Sequence, residues 1–217
     1  MQRVEQYQKL DEGRACGLRV VVDLEFAATQ TQRECNSIFK QLGCVYGYMK
    51  KCPLDHLISL RVAGFRGAAA SIGQRHGLFS WKVGKPVRQI LCDCLKVHLH
   101  ESPVQEVYHP DEIIYLSPDA EDALTYLDPN AVYVVGGIVD RSVRKGQTLE
   151  KAMTSSIRVM RLPLQEYMDV RKPVLNIDSV IIALNEFSNH GNWLRAFDVA
   201  IPKRMAAKPQ GNRKLNA

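Results

Sequence analysis

The sequence predicts an α/β protein built on a parallel sheet with helices on both faces, and three observations carry that prediction. Residues 18–24 (LRVVVDL), 113–116 (IIYL) and 131–135 (AVYVV) are largely apolar runs without alternation, as expected of strands buried on both sides. Helix-start signals follow: Thr31-Gln32-Arg33-Glu34 is a capping box, and Ser117-Pro118-Asp119 offers an N-cap, an N1 proline and a first-turn acid. Strand-like and helix-like segments then alternate along 217 residues, long enough for one sizeable core.

Taken in order, residues 1–15 are polar and read as a frayed helix or linker ahead of the strand at 18–24. After the capping box, Cys35, Ile38 and Leu42 share one helical face, and Gly43 reads as the stop. A short apolar run at 57–60 precedes a glycine-rich connection (Gly64, Gly67, Gly73, Gly77) that pattern alone does not assign. Pro86 opens a helical pattern through Ile90, Leu91, Leu95 and Leu99. The strand at 113–116 leads into an expected helix from Ser117 to about Leu127, and the strand at 131–135 is stopped by Gly136-Gly137. A helix around 148–155, a strand at 157–162 halted by Pro163 and a helix around 178–187 complete the series.

The net charge of +6 hides its distribution. Residues 33–100 hold eleven basic and three acidic side chains, 101–140 hold nine acidic and no Lys or Arg, and 141–161 hold six basic and one acidic. The last seventeen residues add five basic side chains and no acid. A polyanion could meet the two basic zones and the tail, although charge runs on solvated faces look the same. The six cysteines form no C-x-x-C pair and no zinc-spaced array, and nothing like a signal peptide precedes them, so reduced thiols in an intracellular protein are expected. Stretches free of charge and proline, such as 131–139, are far short of the roughly 20 residues that span a bilayer, so no membrane role is expected.

In open parallel sheets, ligands bind beyond the carboxyl ends of the strands. The residues there are Ser117-Pro118-Asp119, Gly136-Gly137 running on to Asp140 and Arg141, Pro163, and 175–177. Glycines at a strand exit let a backbone approach a ligand, or simply make a tight turn. Neither phosphate-cradling glycine motif occurs. Asp140, flanked by Arg141, Arg144 and Lys145, could take a proton from a substrate held by those cations; from spacing alone a surface ion pair is the simpler reading. His98 and His100 read as exposed polar positions rather than metal ligands, and no metal site is expected.

Four motifs occur in fixed order: Ile114-Tyr115-Leu116-Ser117-Pro118-Asp119, Val132-Tyr133-Val134-Val135-Gly136-Gly137-Ile138-Val139-Asp140-Arg141, Arg161-Leu162-Pro163-Leu164-Gln165-Glu166-Tyr167, and Gly191-Asn192-Trp193 with Ile201-Pro202-Lys203-Arg204. Together they resemble the tRNA position-nine N1-purine methyltransferases of the SPOUT class. A weaker match reaches back through Val20-Val21-Val22-Asp23 and Tyr46-Gly47-Tyr48-Met49-Lys50-Lys51, where Met49 replaces the family's usual Asn; 62–110 matches poorly.

The resemblance implies a SPOUT fold over 16–204 whose C-terminal part forms a trefoil knot, with 1–15 an extension and 205–217 a basic tail. It implies S-adenosylmethionine as cofactor, held at Leu116, Ser117, Gly136, Gly137, Ala152, Leu162, Leu175, Asn176 and Ile177. It places the proposed general base at Asp140, which would matter most for guanine, whose N1 carries a proton. Tyr46 to Lys51 and the two later basic zones then supply tRNA-binding candidates: Lys50, Lys51, Arg141, Arg144, Lys145, Lys203 and Arg204. A monomer in the nucleus or cytoplasm is expected. Asp140-Arg141-Ser142 also resembles a mitochondrial branch whose members serve ribonuclease P, which would bring tRNA-processing partner proteins. The competing function is a non-catalytic platform that only grips tRNA.

Overall fold

The computed structural model describes residues 2–76, 97–139, 157–169 and 174–202. Six strands, β1 (Arg19–Asp23), β2 (Ser59–Ala63), β3 (His98–Leu99), β4 (Ile113–Leu116), β5 (Val132–Gly136) and β6 (Arg158–Met160), form one sheet in the order β3-β2-β1-β5-β4-β6. Every pairing is parallel, as the apolar runs predict. Val20, Val21 and Val22 are fully buried, which is why that run lacks alternation: each valine removed from water contributes about 1.5–3 kcal/mol whichever face it takes. Val20 and Val22 pack with Ile38, Leu42, Ile181 and Leu184, whereas Val21 packs with Tyr115, Val132, Val134 and Val104 on the other face.

Seven helices are described: α1 (Gln2–Cys16), α2 (Gln32–Lys51), α3 (Gly67–Arg75), α4 (Val104–Val107), α5 (Leu164–Tyr167), α6 (Ile177–His190) and α7 (Trp193–Ala200). The capping box of α2 forms as predicted, Thr31 accepting from the Glu34 N–H while Glu34 accepts from the Thr31 N–H. Gly43 does not stop the helix. Glycine inside a helix costs about 1 kcal/mol, and the buried face continues through Val45, Tyr46 and Met49, whose burial outweighs it. Met49, which departs from the family pattern, therefore faces the core.

The helix expected from Ser117 is absent. Ser117 does act as a local cap, accepting the Asp119 N–H at 3.3 Å, but the following backbone pairs sideways instead of with itself. Leu124 N–H donates to Arg161 C=O and Arg161 N–H to Asp122 C=O, each at 2.8 Å, which extends the β6 side of the sheet. The helical pattern from Pro86 fails at its described end, where His98 and Leu99 form strand β3. The expected helix at 148–155 lies outside the described residues. Residues 2–16 form a helix docked on the domain: Leu10 is buried, and a Cβ added at Gly13 would lie 2.7 Å from that of Leu57. No described helix is long and apolar enough to cross a membrane.

α2 leaves the carboxyl edge of the sheet at Thr31 and returns to the amino edge at Lys51, just before β2. α6 runs the same way. Its Asn185 and Asn189 side chains accept the Ile58 and His56 N–H groups at the amino edge, which sends Ile177 toward the carboxyl edge. Gly191, in the left-handed conformation at φ 61°, ends α6 and turns the chain into α7, where Trp193 stacks on Phe187 with ring centroids 4.0 Å apart.

Candidate functional site at the carboxyl edge of the sheet

The strand register gathers the predicted site residues on one edge. Gly136 lies opposite Asp23 on one side, and Val135 lies opposite Leu116 on the other, so Ser117 follows beside Gly136. Leu116 in turn pairs with Met160, which brings Leu162 to the same edge, and Ser117 N–H donates to Met160 C=O at 3.0 Å. Ile177 is drawn in from α2: its N–H, otherwise unsatisfied at the start of α6, donates to Gln41 Oε1 at 2.8 Å. Leu116, Ser117, Gly136, Gly137, Leu162 and 175–177 are thus brought together.

The central exits are tied tightly. Gly137 N–H donates to Asp23 C=O at 2.8 Å. A Cβ on Gly137 would stand 2.7 Å from that carbonyl oxygen and 3.0 Å from Leu24 Cδ2, so glycine is required here by the approach of β5 to β1, before any ligand is considered. Gln30 then clasps the exit with both ends of its amide, Nε2 donating to Gly137 C=O at 2.5 Å and Oε1 accepting the Val139 N–H at 3.2 Å.

Beneath the exits lies a fully buried carboxylate. Asp23 accepts the Tyr115 hydroxyl at 2.6 Å through Oδ2 and the Glu25 N–H at 3.0 Å through Oδ1. Burial, and then the adjacent Asp23 charge, push the Tyr115 hydroxyl far above its usual pKa, so it remains a proton donor to Asp23 across the ordinary pH range. Sequence reasoning passed over Asp23, Gln30 and Gln41 as site-building residues. Only Asp23 carried a signal, a charge ending an all-valine run.

Other predicted residues fall elsewhere. Lys50 and Lys51 end α2 at the amino edge, roughly 30 Å along the helix from Thr31 at 1.5 Å per residue. Lys50 Nζ lies 5.6 Å from the Tyr46 ring centroid. Asp140, Arg141, Arg144, Lys145, Ala152, Lys203 and Arg204 lie outside the described residues. His98 and His100 are half-buried rather than exposed, stacked on each other at 6.5 Å beside Arg61 and Tyr108. Among the described residues no group of three or more His, Cys, Asp or Glu side chains could hold a metal ion.

One basic surface was not anticipated as such. Arg33, Lys40 and Lys51 are exposed at positions 7 and 11 residues apart, which places them on one line of α2, and Arg66 and Arg75 are exposed at the two ends of the neighbouring α3. The sole acid of α2, Glu34, is engaged in the capping box.

Comparison with known proteins agrees with this architecture. The protein resembles "tRNA methyltransferase 10 homolog B" of Mus musculus, 31% identical over 179 residues, covering 82% of this chain and 52% of the mouse protein. It also resembles the "tRNA (guanine(9)-N1)-methyltransferase" of Schizosaccharomyces pombe, 26% identical over 194 residues, covering 86% of this chain and 59% of the yeast protein. The chain spans between half and two thirds of the length of the relatives it matches. The crystal structure of full-length spTrm10 in complex with SAH superposes with a TM-score of 0.69 at 22% identity, covering 85% of this chain and 94% of that one. A dual-specific Trm10 from Thermococcus kodakaraensis gives 0.57 at 18% identity, covering 84% and 99%. These likenesses show the same α/β fold. The family model described as tRNA (guanine(9)-N(1))-methyltransferase TRM10/TRM10A matches residues 1–206, and the chain belongs to that family.

Proposed function

We propose that this protein transfers a methyl group from S-adenosylmethionine to N1 of guanine at position nine of tRNA. The observation that carries the proposal is the convergence on one edge of the backbone exits 116–117, 136–137, 162 and 175–177, the positions at which the family resemblance places the cofactor. The edge suits such a ligand. Half-buried Leu162 and Leu175 offer apolar surface beside backbone, as an adenosine with a short aliphatic chain requires. S-adenosylmethionine supplies an electrophilic methyl group when bound there.

The chain's own contribution is to orient the acceptor and deal with its proton. Guanine N1 carries a proton at neutral pH, and its lone pair becomes available only once that proton leaves. Asp140, the residue following the clasped exit, is assigned as the acceptor of that proton. Adenine N1 has no proton to lose, so an adenine target would depend less on Asp140. Holding donor and N1 in line supplies much of the remaining acceleration.

The tRNA body is assigned to the basic line of α2 and the arginines of α3, with Lys50 and Lys51 at its far end and Arg141, Arg144, Lys145, Lys203 and Arg204 as further contacts. Folded tRNA presents backbone and shape more than base edges, so these contacts are to phosphate. A trefoil knot in the C-terminal part, a monomeric state and a nuclear or cytoplasmic location belong to the same proposal. The deciding experiment is methyl transfer to unmodified tRNA transcripts carrying each base at position nine. Transfer to guanine alone is the expected result. No transfer, together with no heat on titration with S-adenosylhomocysteine, would leave a tRNA-gripping platform.

A further inference from the structure

The exit of β5 continues past the point where its neighbour can pair with it. β1 ends at Asp23 and turns into the 3-10 turn Glu25–Thr29, so the last backbone rung between the two strands is Gly137 N–H to Asp23 C=O. In a parallel ladder the next rung would come from one residue of the neighbouring strand: its N–H bonding the carbonyl before residue i, and its carbonyl bonding the N–H after residue i. The Gln30 side chain reproduces that pattern around Ile138. Its Nε2 donates to Gly137 C=O at 2.5 Å and its Oε1 accepts the Val139 N–H at 3.2 Å. A carboxamide is the side chain that offers a donor and an acceptor from one planar group.

Gln30 is itself fixed from both sides. Its backbone N–H caps the 3-10 turn by donating to Ala27 C=O at 3.2 Å, and the next residue is Thr31, locked in the α2 capping box. The clasp therefore acts from a rigid junction, and it ends on the residue immediately before Asp140.

We infer that Gln30 is a positioning residue for methyl transfer: its amide serves as a surrogate strand residue that extends the β1–β5 ladder by one rung and so sets where the chain delivers Asp140. The inference rests on the proposed role of Asp140. It differs from a role in stability alone, because the rung holds a segment at the margin of the core: Ile138 and Val139 are half-buried, with Val139 packed against the core from outside, whereas Val20–Asp23 and Val132–Val135 are buried.

The test uses the full chain with Gln30→Met, similar in length with neither donor nor acceptor, and Gln30→Glu, which keeps the acceptor for Val139 but places a carboxylate against the Gly137 carbonyl. Single-turnover methyl transfer to a position-nine guanine transcript is measured at saturating cofactor and tRNA, alongside tRNA affinity, thermal midpoint and amide hydrogen exchange at Val139. Gln30→Met is expected to slow transfer roughly 10- to 100-fold, the scale of a slight misplacement of a reacting group, with tRNA affinity within about twofold. Val139 exchange should accelerate, and Gln30→Glu should fall between Gln30→Met and the parent. A folded Gln30→Met that transfers methyl within about twofold of an active parent overturns the inference. If the parent itself transfers no methyl, the functional reading has failed, and Val139 exchange then decides alone: unchanged exchange overturns the clasp, and faster exchange sustains it.

Discussion

The two edges of the sheet are held by different means. At the amino edge, α1 and the 54–58 loop close by backbone contact: Gly13 and Gly17 lie directly against Leu57, and the amides of Asn185 and Asn189 take the loop's N–H groups. At the carboxyl edge the core thins to half-buried Val139, Leu162 and Leu175, and individual polar side chains hold the strand exits: Gln30 on Gly137 and Val139, Gln41 on Ile177, and Asp23 on Tyr115. The difference teaches that damage at the amino edge should register as lost stability, and damage at the carboxyl edge as lost function in a protein that still folds.

The sharpest use of that contrast is Asp140→Asn. It preserves shape but accepts no proton, and guanine methylation should fall roughly 10²- to 10⁴-fold while tRNA affinity changes little. A loss of threefold or less at every pH would remove Asp140 as the base. Gly137→Val tests where the two regimes meet. Its Cβ would press on the Asp23 carbonyl, so the variant should lose about 1–3 kcal/mol in urea denaturation as well as affinity for S-adenosylhomocysteine in calorimetry. Gly17→Ala is the amino-edge counterpart. Its Cβ would overlap the Leu57 carbonyl oxygen, and the expected outcome is a similar stability loss with unchanged cofactor affinity per folded molecule.

Two smaller effects refine the comparison. Neutralising Lys50 and Lys51 together should weaken binding a fewfold for all tRNAs and flatten its salt dependence by up to about two counterions, read by filter binding across salt concentrations. Unchanged affinity and slope would take the carboxyl end of α2, at the amino edge of the sheet, out of the tRNA surface. The second concerns pH. Burial first, and the nearby Arg61 cation, hold the His98 and His100 imidazoles below their usual 6.5, with Arg14 also acting on His98 and Tyr108 packed beside His100. Each therefore takes up its proton at a lower pH in the folded chain than in the unfolded chain, which is protonated as pH falls through 6.5. Stability is full above that pH and declines below it. Urea midpoints between pH 7.5 and 5.5 should fall, and a His98→Gln, His100→Gln double variant should flatten the decline.

The parts of the fold visible in the sequence are those governed by local rules. The valine run of β1, the Thr31 capping box and the apolar face of α6 need no distant partner to be recognised. Gly43 misled because propensity is a small term beside the burial of Val45, Tyr46 and Met49, and Ser117-Pro118-Asp119 misled because backbone beyond it bonds to Arg161, some forty residues on. The site was legible as strand exits and as family motifs. Its supports were not: Gln30 and Gln41 are ordinary polar residues until tertiary structure sets them against Gly137, Val139 and Ile177.

The strand order has one more consequence, for synthesis. β1 pairs with β2 on one side and with β5 on the other, and Asp23 and Gly136 stand more than a hundred residues apart in the chain. At ribosomal speeds of about 5–20 residues per second, the valine edge of β1 waits roughly 5–20 s for its second partner to be made. During that interval the nascent chain carries an open apolar strand edge, the feature most prone to pairing with a neighbouring chain. The central strand that later anchors the carboxyl-edge site is therefore also the segment most in need of a chaperone while the protein is being made.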